Sequence, residues 1–332
     1  MADTALTVVI CGATAGIGRA TAHAFAGAGY QVALIARSEL GLADTQAELQ
    51  SSGARVLAIA ADVADATAID QAAARVEAEL GPIEVWVNSA MATVFGPASQ
   101  LSAEEFRRVT EVTYLGFVHG TLAALRHMTP RDRGTIVQVG SALAYRAIPL
   151  QSAYCAAKFA IRGFTDALRC ELIHDGSRIR LTMVQLPAHN TPQFDWARNK
   201  MDKRPQPVPP IYQPEVAARA ILRAATEAPR ELWLGRATLQ AIIGTMLMPG
   251  LLDRLLARKA YQGQLTGEDE SPTRADNLFQ PVEGLHRTAG RFADRARDQA
   301  LGLGSRTARA MLAAVMAVPV LIVAALIAWL EG

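Results

Sequence analysis

The stretch Thr7-Val-Val-Ile-Cys-Gly-Ala-Thr-Ala-Gly-Ile-Gly-Arg-Ala20 decides the reading of this chain. A short run rich in β-branched residues reads as a strand. It ends in glycines at 12, 16 and 18, and a helical stretch follows. Glycines at that spacing permit a tight strand-to-helix turn and let a pyrophosphate approach the amides and dipole of the helix start. Gly12, Thr14, Gly16, Ile17 and Gly18 are therefore the candidate phosphate contacts. A lone glycine pattern is weak evidence, and its place between a strand and a helix strengthens it.

Outward from this turn the alternation repeats. Further strands are expected at 31–36, 55–60, 84–88, 135–140, 180–185 and 231–234, with helical periodicity between them over 64–80 and 102–128. Strand–helix alternation predicts an α/β fold, a doubly wound parallel sheet covered by helices on both faces. Pro187, Pro192, Pro205, Pro207, Pro209, Pro210 and Pro214 interrupt the pattern, so 186–214 reads as a loop or lid.

Composition narrows the function classes. Of 332 residues 51% are hydrophobic and 19% charged, which excludes a mostly disordered chain. The 33 Lys and Arg against 31 Asp and Glu leave a net charge of +2, too little for a broad nucleic-acid-binding face. Cys11, Cys155 and Cys170 cannot build a disulfide framework and suit reducing surroundings; no spacing suggests a metal site. Cys155 reads as a small buried thiol, and His189 in the lid as a solvated loop residue ahead of a substrate contact.

The two ends differ. The N-terminus lacks the basic and apolar regions of a secretory signal. From Ala310 to Leu330 no charged residue occurs, and a helix of that length covers roughly 30 Å, the thickness of a hydrocarbon core. A transmembrane helix over 310–330 is therefore expected, with the arginines at 287–309 on the cytoplasmic side. The expected domains are 1–235 for nucleotide binding and chemistry, 236–262 as an apolar and amphipathic helical extension, 263–309 as a polar and basic linker, then the membrane tail. That predicts a single-pass protein with a cytoplasmic catalytic domain.

Two further sites carry chemistry. The second strand ends Ile35-Ala36-Arg37, with no carboxylate to accept from ribose hydroxyls, whereas the Arg37 guanidinium can fork onto a phosphate, which favours NADP(H). Tyr154 and Lys158 stand at i, i+4 on one face of a helix, where an ammonium lowers the ordinary phenol pKa of about 10.

With Ser141 thirteen residues before the tyrosine, these motifs resemble the short-chain dehydrogenase/reductase family in its compact single-domain branch, over residues 6–235. The resemblance rests on the glycine turn, Asp62-Val63, Asn88-Ser-Ala, Ser141, Tyr154/Lys158 and Pro187 to Thr191. It implies that Tyr154 is the general acid/base, that Ser141 hydrogen-bonds the substrate oxygen, and that Lys158 bonds the nicotinamide ribose. It further implies that Asp62 and Val63 meet the adenine, that Asn88 supports the strand end, and that Thr191 with Pro187 meets the nicotinamide carboxamide. The implied activity is oxidation and reduction between an alcohol and a carbonyl, on a substrate read as lipophilic from the tail and the apolar lid. Family members associate through helices matching 102–128 and 152–175, so a homo-oligomer is expected.

The sequence departs from the family pattern in three places: at Cys11, at Ser89 with Met91, and at Thr113, where asparagine ordinarily helps hold a water of the proton relay. Thr113 opens the alternative of a catalytically weak NADP-binding membrane scaffold or sensor. The extended sugar-nucleotide epimerase branch shares the tyrosine–lysine spacing and fits less well, because its glycine turn is spaced differently.

Overall fold

The computed structural model describes residues 5–314. Its frame is β1 (Thr7–Cys11), α1 (Gly16–Gly27), β2 (Gln31–Ala36), α2 (Glu39–Ser51), β3 (Val56–Ala60), α3 (Ala66–Glu79) and β4 (Ile83–Asn88). There follow α4 (Ala103–Thr110), α5 (Gly116–Met128), β5 (Thr135–Val139), α6 (Ser152–His174), β6 (Arg180–Gln185), α7 (Pro214–Glu227) and β7 (Glu231–Leu234). The chain continues through α8 (Gly235–Leu247), α9 (Pro249–Gly263) and β8 (Gly302–Gly304).

Side chains of one strand alternate between two cores. Val9 and Cys11 point into one, with Ile69 and Val76 of α3 and Ala124 and Met128 of α5. Val8 and Ile10 point into the other, with Phe25 of α1, Leu49 of α2 and Ile221 of α7. All five residues of β1 are buried, as a parallel strand covered on both faces must be. Helix starts are set by local chemistry. The Ser38 and Asp65 side chains accept from Gly41 and Ala68 amides at the first turns of α2 and α3, and Ser102 and Glu105 form a reciprocal capping box on α4.

The sheet runs β8-β7-β6-β5-β4-β1-β2-β3. Its pairings are parallel from β7 to β3, and β8 adds an antiparallel edge. The strand order reverses at β1 and β4, which opens a crevice at their carboxyl ends.

Two expectations are corrected. The segment 263–309, expected as a linker, folds back on the domain: Leu265–Asp269 pairs with Lys203–Pro205 of the lid, Ala296–Arg297 pairs with Ile211–Tyr212, and β8 joins the main sheet. The expected membrane span over 310–330 falls mainly on 315–332, which lie outside the described residues. Among the described residues no helix is long and apolar enough to cross a membrane. The reading of a cytoplasmic domain held to a membrane by its tail is corrected on that finding.

Candidate active site

The turn after β1 passes close to the chain leaving β4. A Cβ on Gly12, whose φ is +84°, would lie 2.7 Å from Ala90 Cα; one on Gly18 would lie 2.0 Å from Gly12 O. Only glycine permits both approaches, and the result is a shallow cradle at the start of α1. Gly12, Thr14, Gly16, Ile17 and Gly18 line one cavity with Arg37, Asp62, Val63, Ser141, Tyr154, Lys158, Pro187 and Thr191, enclosing about 490 Å³. Candidate cofactor and catalytic residues drawn from six separate parts of the chain thus share one space.

Among the candidate catalytic residues, β5 delivers Ser141 and the first turns of α6 deliver Tyr154 and Lys158. The Ser141 amide donates to Gln185 Oε1 at 2.9 Å, and its hydroxyl accepts from the Leu143 amide at 3.1 Å. Lys158 is buried; its Nζ donates to Val139 O at 2.8 Å and stands 5.5 Å from the Tyr154 ring centre. Burial pushes that ammonium down to about 7. Burial also raises the Tyr154 phenol above its ordinary range, and the neighbouring Cys155 adds to this while a hydrogen bond with Ser141 works against it. In the protein alone the phenol is therefore a proton carrier in its neutral form.

Asn88 and Thr113 stand behind the cavity wall. Asn88 is buried, accepts from Trp86 Nε1 at 2.9 Å, and donates to Thr121 Oγ1 and Gln138 Oε1 at 3.1 and 3.0 Å. It ties β4 to α5 and β5. Thr113 sits in a π-helical turn, Glu111–Leu115, between α4 and α5. Its hydroxyl accepts from the Ala92 amide at 2.9 Å and donates to the Ala92 carbonyl at 2.8 Å. Both roles of the hydroxyl are spent on the loop after β4, so the group expected in a proton relay fixes that loop instead.

At the end of the cavity where the resemblance puts the adenosine, Asp62 Oδ1 accepts from the Ala64 amide at 2.9 Å and its other oxygen pairs with Arg108. Arg37 is not a free fork. Its Nη2 donates to Asn277 O at 2.6 Å and its Nη1 to Phe279 O at 3.0 Å. Sequence reasoning missed this partner, because a segment bound through its backbone carbonyls leaves no side-chain pattern to read.

The far end of the cavity is apolar, lined by Leu143, Ile148, Val208, Ala237, Ala241 and Leu256. Gln151 donates to Gln264 Oε1 at 2.7 Å, and Gln264 donates to Pro149 O at 2.8 Å, which pins the end of α9 beside this wall. His189 also lines the cavity and is buried, against the expectation of a solvated loop histidine. Its Nδ1 lies 2.9 Å from Pro187 O and must donate there, which leaves Nε2 a buried acceptor with no partner among the described residues. Burial pushes its pKa down to about 4. Cys155 is buried, as expected; Tyr145 donates to Glu231 at 2.6 Å, and Phe194 packs between Phe95 and Phe292 while lining the cavity.

Comparison with known proteins places this geometry in context. The short chain dehydrogenase family model matches residues 6–202. The uncharacterized oxidoreductase YxnA of Bacillus subtilis is 33% identical over 282 residues, covering 84% of this chain and 79% of YxnA. The Mycobacterium tuberculosis oxidoreductase SadH is 31% identical over 260 residues, covering 75% of this chain and 93% of SadH. A short-chain dehydrogenase structure from Streptomyces avermitilis superposes with a TM-score of 0.63 at 28% identity, over 79% of this chain and 97% of that one. The alcohol dehydrogenase from the archaeon Thermococcus sibiricus, solved with 5-hydroxy-NADP, gives 0.58 at 28% identity, over 69% and 95%.

Proposed function

The chain belongs to the short-chain dehydrogenase/reductase family, and from that membership we propose that it is an NADP(H)-dependent oxidoreductase interconverting an alcohol and a carbonyl on a lipophilic substrate. One observation carries the reading: Ser141, Tyr154 and Lys158 open onto the same cavity as the glycine cradle. The cradle fits a dinucleotide, since a Cβ at Gly16 would meet Thr191 Cγ2 at 3.1 Å and close the space a pyrophosphate needs.

When bound, a nicotinamide dinucleotide supplies or takes up the hydride. The residues do the rest. The Tyr154 phenol gives a proton to the substrate oxygen in reduction and takes it back in oxidation. The Ser141 hydroxyl donates to the same oxygen as negative charge develops there. Lys158, its Nζ 5.5 Å from the Tyr154 ring centre, stabilises the phenolate when its amine is charged. At the adenosine end Arg37 is the cation for a 2′-phosphate, supported by the absence of a carboxylate at the end of β2. Three of its five N–H donors at most go to the 277–279 carbonyls, which leaves donors for a phosphate.

The apolar lining from Leu143, Ile148, Val208, Ala241 and Leu256 supports the lipophilic substrate. Leu122 on α5 and Phe159 and Ile173 on α6, all exposed, support association of copies through these helices. NADPH oxidation by the full-length protein should be faster with long-chain or polycyclic ketones than with small polar sugars. A preference for the sugars would overturn the substrate class.

A further inference from the structure

The segment 276–292 runs along the mouth of the nucleotide crevice and is bonded to the residues that surround it. Arg19 Nη1 donates to His286 O at 2.7 Å, and the Gly16 amide donates to Arg287 O at 3.0 Å. The Gly290 amide donates to Asn190 O at 3.0 Å. Bound at several points over its length, this strap presents two polar side chains to the end of β2. The Ser38 hydroxyl donates to the Glu283 carboxylate, with its oxygens at 2.9 and 3.1 Å, and His286 Nε2 lies 2.9 Å from Ser38 Oγ. A Cβ on Gly41 would stand 2.5 Å from His286 Nδ1, so the ring rests directly on the first turn of α2.

We propose that Glu283 is a specificity-determining residue for the dinucleotide: its carboxylate holds the Ser38 hydroxyl at the place where a 2′-phosphate bonded to Arg37 would take it. The proposal rests on the cofactor reading given above. The Ser38 hydroxyl has one proton to donate, so a phosphate and the carboxylate compete for it. The two anions also repel each other at close range. A ribose 2′-hydroxyl meets neither obstacle, because it donates to the same carboxylate. The Glu283 side chain is half-exposed and can turn to solvent, so the carboxylate narrows a preference for NADP(H) rather than abolishing it. With the hydroxyl proton given to Glu283, His286 Nε2 beside it donates to Ser38 Oγ at 2.9 Å and offers the carboxylate only a 3.3 Å contact.

The test titrates NADPH and NADH into the full-length protein, wild type and Glu283→Gln, by cofactor fluorescence, with thermal unfolding to confirm that the variant folds. The ratio of NADPH to NADH affinity should rise about tenfold in Glu283→Gln, carried by tighter NADPH. Glu283→Ala should move the ratio the same way, and Glu283→Asp should leave it near wild type. A ratio unchanged within twofold, or one that falls, while the wild type binds either cofactor, overturns the role of Glu283 alone. Binding of neither cofactor by the wild type overturns the cofactor reading and this proposal with it.

Discussion

His189 Nε2 is a buried acceptor without a hydrogen-bond partner among the described residues, and its burial has a measurable consequence. The folded protein holds the ring neutral down to about pH 4, while an unfolded chain takes up the proton near the ordinary value of 6.5. Between those two values the unfolded state binds more protons, so stability rises with pH and is lost as pH falls through that window. The wild type should lose roughly 3 kcal/mol between pH 7 and 4 through this one group. His189→Leu should lack that part of the loss, measured by denaturant unfolding at both pH values. Equal losses in the two proteins would show that the ring is solvated. The placement of Tyr154 beside Lys158 was legible from the i, i+4 spacing on a helix, whereas Ser141 and the roles of all three were implied only by the resemblance to the family. The burial of His189 was not, since it follows from the short pairing of Ala188–His189 with Ile211–Tyr212 across a loop.

At the scale of elements, the widened turn between α4 and α5 serves the site by placing Thr113 against the Ala92 backbone. Thr113→Val keeps the shape and removes both hydrogen bonds, leaving a buried amide and a buried carbonyl unpaired. It should cost about 1–3 kcal/mol of stability, and kcat should fall with it, because the loop that it holds carries Met91 along the cavity. A variant with wild-type stability and turnover would mean that the loop is held by other contacts. β1 to β7 were readable in outline because each is a short apolar run, in β1 buried on both faces as Val8 and Val9 show. β8 was not readable: Gly-Leu-Gly has no strand propensity, and it forms only because β7 presents an open edge for Gly302–Gly304. The strap was equally silent. Arg37 reaches Asn277 and Phe279 through their carbonyls, a bond that any residue type at those positions would offer.

For the whole molecule, the apolar composition of 310–330 pointed to a membrane, yet no described helix is long and apolar enough to cross one. What surrounds the cavity is better explained by the returning C-terminal half. α8 brings Ala237 and Ala241, α9 brings Leu256, and the strap brings Val282 and His286, so residues well beyond the matched 6–202 build much of the binding space. Part of the cavity wall thus comes from a stretch whose sequence carries no motif, while Ser141, Tyr154 and Lys158 come from the part that does. The most direct measurement is steady-state turnover of full-length Tyr154→Phe with NADPH and a ketone accepted by the wild type, with dinucleotide affinity measured on the same sample. Loss of the positioned proton should lower kcat by roughly 10²–10⁴ while NADPH affinity stays within a few-fold of wild type. Undiminished turnover would contradict the account, because the proton would then come from elsewhere and the Ser141–Tyr154–Lys158 arrangement would not be the catalytic centre.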